Sequence, residues 1–347
     1  MTSKNPAHSP IFRTTPTISR TPVRLSFGGG GTDLKAFYAK YGGLVISATI
    51  DKYFFCVASA RRDSKLVISS ADYNLTEEHE EIGNLDTEGT FGLIKAVVSQ
   101  FRPPMGLRIH TVSDIPHGSG LGLSGAATVG TIKAVSALLG KMLSAGAVAE
   151  LASIIEIDEL KRPIGKQDQY ASAFGGLNEI RFAEDEVTVT PLWIKKGCLK
   201  RFENWAMLFF TGKSRNSATI LSRQTEETAK GHKPTIDQLQ AIKMLAEEMG
   251  EAFLKEDFEK IGHLIDASWQ AKRQIVSSIT SSSIDELYEA AKREGALGGK
   301  ITGAGGGGFL LLICPPSKGP AVEAALSEMN AERLGFGFVS KGTHIIS

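Results

Sequence analysis

Three glycines stand on alternate positions within residues 116–130, PHGSGLGLSGAATVG, between a segment with strand character and one with helical apolar spacing. Glycine allows left-handed backbone conformations and a close approach to a ligand, and the helix that follows adds the positive end of its dipole. Such a segment typically binds phosphate, and Ser119 and Ser124 add hydroxyl groups for a phosphate oxygen or a magnesium ion. A structural tight turn with incidental glycines is the alternative.

Two well-known nucleotide motifs fit this segment poorly. The P-loop pattern G-x-x-x-x-G-K-[ST] does not occur, because no Lys-Ser or Lys-Thr pair follows the glycines. Gly120, Gly122 and Gly125 do form G-x-G-x-x-G after a predicted strand. That dinucleotide fingerprint expects a second strand with an acidic residue about 20 residues on, whereas residues 126–160 predict two helices. The segment therefore predicts anion binding without specifying the partner.

The charge balance excludes other classes of partner. Lys and Arg total 39 against 38 Asp and Glu in 347 residues, a formal net charge of +1. Nucleic acids and anionic membranes require clustered positive charge, so neither is an expected partner. No apolar run approaches the roughly 20 residues that span a bilayer. The three scattered cysteines are expected to be free thiols of a cytoplasmic protein.

The order of predicted elements indicates two domains. Strands precede helices in each half of the chain, which favours two α+β domains over one doubly wound sheet. Residues 1–17 are rich in Pro, Ser and Thr, lack the apolar core of a signal peptide, and are expected to form a flexible leader. The first domain is predicted over 18–192 and the second over 193–347.

Three segments together resemble the GHMP kinase superfamily, which includes galactokinase and mevalonate kinase. PHGSGLGLSGAA is similar to its phosphate loop, TPVRLSFGGGGTDL (21–34) to its N-terminal substrate motif, and KITGAGGGGFLLLI (300–313) to its C-terminal glycine motif. They occur in the family's order and extend over essentially the whole chain. The resemblance implies the GHMP kinase fold, with two α+β domains, an active site in the cleft between them, ATP as donor and Mg²⁺.

Within that family the chain most resembles sugar-1-kinases that act on D-glycero-D-manno-heptose 7-phosphate. The similar segments are FGGGGTDL, GKQDQYASAFGG (165–176) and FTGKSRNSATIL (210–221). This implies phosphorylation of the anomeric C1 hydroxyl to give heptose 1,7-bisphosphate, for nucleotide-activated heptose in bacterial surface polysaccharide synthesis. A 1-kinase for an unphosphorylated sugar such as L-fucose, or a non-catalytic sugar- or nucleotide-binding regulator, is the alternative. The sequence leaves the oligomeric state open, a homodimer included.

The resemblance also assigns chemical roles. Asp168 corresponds to the catalytic aspartate, with Arg24 and Lys166 as candidate cations for the developing charge. Ser124 and Glu156 correspond to the metal ligands. Residues 158 and 159 are acidic rivals of Glu156.

Two sets of binding residues follow from the same resemblance. The ATP-binding set is Pro116, Gly118, Ser119, Gly120, Leu121, Gly122, Leu123, Ser124 and Gly125. The substrate-binding set is Gly30, Gly31, Thr32, Asp33, Gln169, Lys213, Arg215, Gly303, Gly305 and Gly306.

Some of these assignments have alternatives. Asp33 could instead cap the next helix, or do both. Lys213 and Arg215 are expected to bind the sugar's 7-phosphate, with a solvated basic loop or an ATP contact as alternatives. Leu123 departs from the family, which usually has serine there, so a side-chain donor is missing at that position.

Overall fold

The computed structural model describes residues 15–212 and 217–346. Within this part of the chain two sheets form. The strands are β1 Thr17–Gly28, β2 Gly43–Ala60, β3 Leu66–Ser70, β4 Leu75–His79, β5 Leu107–Ser113, β6 Leu177–Phe182, β7 Val187–Pro191, β8 Ala206–Phe210, β9 Gly298–Ile301, β10 Phe309–Ile313, β11 Glu332–Arg333 and β12 His344–Ile345.

Helices cover both sheets. They are α1 Lys35–Tyr41, α2 Gly92–Phe101, α3 Leu123–Leu138, α4 Ala145–Ser153, α5 Gln167–Phe174, α6 Cys198–Glu203, α7 Ser217–Ala229, α8 Lys233–Lys255, α9 Phe258–Arg273, α10 Ser282–Arg293 and α11 Gly319–Glu328, with a π-helical turn at Ile154–Glu159 and a 3₁₀ turn at Ser277–Ile279. No helix in the described ranges is long and apolar enough to cross a membrane.

The long strand β2 organises the first sheet. Its first half pairs with β6 and its second half with β5, while β1 runs antiparallel along both halves. The sheet order is β12-β1-β2-β5-β3-β4, and β6 and β7 extend it beside β2. Helix α3 packs on β1 and β2 through buried side chains such as Val129 and Ile132. This packing sets the N-terminus of α3, and the glycine segment before it, against β1.

The second sheet is antiparallel, in the order β11-β8-β10-β9. Its strand β10 is FLLLI, buried on both faces. Helix α9 packs on β9 and β10, and the paired helix α8 packs on β1 and β2. One apolar cluster therefore runs through both halves and includes Phe27, Phe253 and Ile313. This shared core holds the glycine segment before α3 and the C-terminal glycine motif (300–313) in fixed relative positions.

The chain ends on the first sheet rather than on the second. Strand β12 pairs with β1, and Phe338 bridges to Ile50 of β2. The sequence predicts that residues 193–347 all belong to the second domain, whereas this last segment pairs with the first sheet. A two-residue strand carries no periodic pattern, which is why the sequence did not indicate this return.

Candidate active site

The glycine segment forms a loop whose shape depends on its three alternate glycines. Gly118, Gly120 and Gly122 have φ values of 77°, 77° and 78°, in the left-handed region that other residues adopt only at a cost. Gly122 precedes α3, and no described side chain caps this helix. The first-turn amides of α3 are therefore free to donate hydrogen bonds to an anion in the cleft.

The C-terminal glycine motif lies directly on this loop. Thr302 Oγ1 donates to the Ser119 carbonyl at 3.2 Å. A Cβ at Gly303 would come within 2.9 Å of the Gly120 Cα, and a Cβ at Gly120 within 2.6 Å of the Thr302 carbonyl oxygen. The two segments, about 180 residues apart in sequence, thus meet backbone to backbone and form one wall of the cleft.

Asp168 is held beside the loop by Arg24. The Arg24 Nε and Nη2 groups donate to Asp168 Oδ1 at 2.8 and 2.6 Å, and Nη1 donates to the Gly120 carbonyl at 2.8 Å. Arg24 is buried, whereas the Asp168 side chain keeps 26% of its exposure, toward the cleft. A Cβ at Gly122 would be 3.2 Å from Asp168 Oδ2. The carboxylate therefore stands where the loop and the start of α3 meet.

Glu156 is fully buried on the π-helical turn, at the first turn of α3. Its Oε1 accepts from Thr128 Oγ1 at 2.7 Å and from Gln169 Nε2 at 2.9 Å. Its Oε2 accepts from Ser124 Oγ at 2.7 Å, and Arg162 Nη1 reaches both Ser124 Oγ and Oε2, at 2.7 and 3.2 Å. A carboxylate and a hydroxyl oxygen, already attracting one cation, form a donor set that suits a hard divalent ion.

Asp33 is buried at the other side of the cleft. Its Oδ1 accepts from the Gly31 amide at 2.9 Å and its Oδ2 from the Gln167 amide at 3.3 Å. Burial raises the pKa of this carboxyl, and the charge of Asp168 adds to the rise, against the effect of the amide hydrogen bonds. Helix α1 begins at Lys35 with Leu34 as its uncapped N-cap residue, so Asp33 is not the helix cap that the sequence allowed.

The cleft brings together most of the predicted residues. Its walls include, from both predicted sets and the predicted catalytic residues, Arg24, Gly31, Asp33, Gly118, Ser119, Gly120, Gly122, Leu123, Ser124, Gly125, Asp168, Gly303 and Gly305. The buried Ser119 hydroxyl has no hydrogen-bond partner among the described residues. A buried hydroxyl without a partner costs free energy, so this group suits a ligand oxygen.

Other predicted residues point elsewhere. Lys166 Nζ donates to both carboxylate oxygens of Glu150 at 3.1 Å and does not line the cleft, so this geometry does not support its assignment as the catalytic cation. Gln169 binds Glu156 rather than facing the cavity. The Thr32 hydroxyl hydrogen-bonds the backbone of Gly29 and Leu44.

The remaining predicted residues do not line the cavity or lie outside the described residues. Pro116 is exposed, Leu121 lies in the core, and neither Gly30 nor Gly306 lines the cavity. Lys213 and Arg215 lie outside the described residues.

The structure adds residues that the sequence analysis missed. Lys272 of α9 and Gln167 line the cleft. Arg162 reaches Ser124, as described above. The exposed Tyr73 ring stacks on His117 of the loop, with centroids 4.5 Å apart. Lys272 left a signal, because it falls at helical spacing from the buried Ile265 and Trp269, whereas the others depend on contacts between distant segments.

Two segments of the chain match known protein families. Residues 91–176 match the family described as GHMP kinases N terminal domain, and residues 249–332 match GHMP kinases C terminal. The chain is 33% identical over 330 residues to the D-glycero-alpha-D-manno-heptose 7-phosphate kinase of Campylobacter jejuni, covering 93% of this chain and 97% of that protein.

Solved structures give the same picture. A D-glycero-D-manno-heptose 1-phosphate kinase from Bacteroides thetaiotaomicron superposes with a TM-score of 0.80 at 29% identity, over 95% of this chain and 99% of that one. The Lactococcus lactis galactokinase superposes with a TM-score of 0.78 at 19% identity, over 95% of each chain. At that identity the galactokinase match bears on the fold alone.

Proposed function

The chain belongs to the GHMP kinase family, and on that premise we propose that it transfers the γ-phosphoryl group of ATP to the C1 hydroxyl of D-glycero-D-manno-heptose 7-phosphate. The main structural support is the Asp168–Arg24 pair, which lies where the phosphate loop meets the first turn of α3. The sugar is taken from the C. jejuni relative, which matches over nearly its full length. The product, heptose 1,7-bisphosphate, would serve nucleotide-activated heptose synthesis in the cytoplasm.

The proposed transfer is direct, without a covalent enzyme intermediate. Asp168 orients the C1 hydroxyl and accepts its proton as the oxygen attacks the γ-phosphorus, and the bond to the β–γ bridging oxygen breaks to release ADP. Arg24 holds the Asp168 carboxylate in place through two hydrogen bonds and presents positive charge beside the loop. Asp33, with its oxygens oriented by two amides, accepts hydrogen bonds from sugar hydroxyls.

Magnesium would be held by Ser124 Oγ and the Glu156 carboxylate. When bound, it would neutralise charge on the β- and γ-phosphates. No group of three or more His, Cys, Asp or Glu side chains able to hold a metal occurs in residues 15–212 and 217–346. That suits Mg²⁺, which keeps several waters and needs only one or two protein ligands beside phosphate oxygens.

Replacing Ser124 tests the metal assignment. We expect Ser124→Ala to raise the Mg²⁺ concentration that gives half-maximal activity by on the order of tenfold, because one hard oxygen near Glu156 is lost. Mn²⁺ binding followed by electron paramagnetic resonance gives a readout that does not depend on turnover. Ser136→Ala is the matched control, since this hydroxyl lies on the same helix and donates to the Lys133 carbonyl at 3.1 Å. Equal metal dependence in both variants would contradict the assignment.

A substrate panel tests the proposed function. ADP release is measured with Mg·ATP against D-glycero-D-manno-heptose 7-phosphate, the unphosphorylated heptose, mannose, L-fucose and galactose. Turnover confined to the 7-phosphate supports the proposal. Faster turnover of L-fucose would favour the plain-sugar alternative, and binding of sugar and ATP without turnover would favour a regulator. A wild-type chain that neither binds nor phosphorylates the 7-phosphate would refute the proposed substrate.

A further inference from the structure

Lys272 is a buried lysine that faces the active-site cleft and has no role in the scheme above. It stands near the C-terminal end of α9, on the face that carries the buried Ile265 and Trp269. Only 7% of the residue is exposed, and it lines the same cavity as Asp33 and Asp168. Lysine is rarely this buried without a counter-ion, so the surroundings of its ammonium group are informative.

Those surroundings include no carboxylate partner. Nζ donates to the Gly303 carbonyl at 2.8 Å, and no ion pair joins it to a carboxylate within 4.0 Å in the described part of the chain. The nearby carboxylates are engaged elsewhere, Asp168 by Arg24 and Asp33 by two backbone amides. An ammonium group has three N–H donors, so the one hydrogen bond that it makes within residues 15–212 and 217–346 leaves donors for a ligand.

The electrostatics show that this charge is poorly compensated. The pKa of Lys272 is lowered to about 8, mainly by burial; the charge of Asp33 opposes this shift and the charge of Arg24 of β1 adds to it. Lys300 of β9 is a second buried lysine close enough to interact with it, and Asp168 is paired with Arg24. An anion entering the cleft would supply the missing counter-charge and restore the protonated form.

The position of the anchor identifies the kind of anion. The carbonyl that holds Nζ belongs to Gly303, whose backbone touches Gly120 of the phosphate loop. The Gly120 carbonyl in turn holds Arg24. The two cations are thus anchored on neighbouring glycines, at the place where the loop would bind phosphate.

We propose that the Lys272 ammonium binds a phosphate oxygen in the assembled active site. The inference rests on the proposed function, which brings two phosphate groups into this cleft, the γ-phosphoryl group of ATP and the sugar's own phosphate. In either case Lys272 adds a cation from the second half of the chain to Arg24 from the first. It takes the place that the sequence suggested for Lys166.

The test compares Lys272→Met with Lys243→Met by calorimetry at pH 8. Lys243 is the matched control because its Nζ also donates to a backbone carbonyl across the two halves, that of Tyr41 at 2.7 Å, away from the cleft. Mg·ATP, Mg·ADP and D-glycero-D-manno-heptose 7-phosphate are titrated one at a time, so that no transfer takes place. We expect Lys272→Met to raise the Kd of one of these ligands by on the order of 10- to 100-fold.

The ligand whose affinity falls in Lys272→Met identifies the phosphate that Lys272 binds. Weaker binding of Mg·ATP with unchanged Mg·ADP identifies the γ-phosphoryl group. Weaker binding of the heptose 7-phosphate with unchanged Mg·ATP identifies the sugar's phosphate. Losses no larger than those of Lys243→Met for both ligands overturn the proposal. If wild type does not bind the heptose 7-phosphate, the proposed substrate fails while the comparison of Mg·ATP with Mg·ADP still tests Lys272.

Proton uptake gives a second readout that a purely structural lysine would not move. At pH 8 about half of the free molecules carry the ammonium, given the pKa of about 8, and phosphate binding should recruit the rest, about 0.5 proton per ligand. Affinity should consequently fall as the pH rises above 8. Calorimetry in two buffers of different ionisation enthalpy measures the uptake. Uptake in wild type that is absent in Lys272→Met supports the proposal, and uptake of the same size in both overturns it.

Discussion

Asp168→Asn should lower kcat by roughly 10²- to 10⁴-fold, the range that a positioned general base contributes. The amide has nearly the same shape, so it can stay beside Arg24, but it cannot accept the C1 proton. The Kd of Mg·ATP should change little, because the loop and the start of α3 remain intact. Steady-state kinetics with the heptose 7-phosphate, together with calorimetric titration of Mg·ATP, measure the two quantities separately.

Asp185→Asn is the matched control, because it makes the same chemical change at an exposed carboxylate outside the cleft. It should leave kcat and the Kd of Mg·ATP unchanged. A near-wild-type kcat in Asp168→Asn would remove Asp168 from the proposed mechanism. A parallel loss of Mg·ATP binding would mean that the pair with Arg24 supports the loop rather than the chemistry.

Gly120→Ala should be the most damaging substitution in the loop, lowering kcat/KM for ATP by on the order of 100-fold or more. Gly120 has a φ of 77°, where an alanine costs roughly 1–2 kcal/mol. Its Cβ would also stand 2.6 Å from the Thr302 carbonyl oxygen. Since that neighbour is backbone, the loop and the C-terminal glycine motif must separate, and the phosphate donors move with them.

Gly140→Ala separates these two causes. Gly140 has a similar φ of 71°, and an added Cβ there meets nothing within 4 Å. Both variants should lose thermal stability from backbone strain, Gly120→Ala more because of its contact with Thr302, but only Gly120→Ala should also lose ATP use. Melting temperatures and ATP kinetics of the two variants distinguish backbone strain from the loss of loop geometry. If Gly140→Ala impaired ATP use equally, general destabilisation rather than loop geometry would be the cause.

The family, and the Arg24 and Asp168 side chains that meet at the cleft, could be predicted from the sequence because their signals are local. Alternate glycines before a helix specify a backbone shape within ten residues, and the comparisons confirm the GHMP kinase family. Arg24 and Asp168 both lie in such motifs, and in the structure Arg24 Nη2 is 2.6 Å from Asp168 Oδ1. The predicted fold class is confirmed by the structural relatives.

Side-chain direction could not be predicted, because it depends on which neighbour a residue meets after folding. Lys166 and Asp168 are two residues apart at the start of α5, so they point to different sides of the helix. One therefore reaches Glu150 and the other the cleft. Gln169 likewise turns inward to Glu156.

The sequence alone determined the backbone shape of the loop and the family, since glycine conformations and motif spacing are properties of short segments. Only the tertiary structure decided which cations reach the cleft. It turned Lys166 away, brought Arg162 to Ser124, and placed Lys272 on the carbonyl of Gly303. The physical reason is that a buried charge is positioned by the counter-charges and carbonyl groups around it, and here these come from segments far apart along the chain.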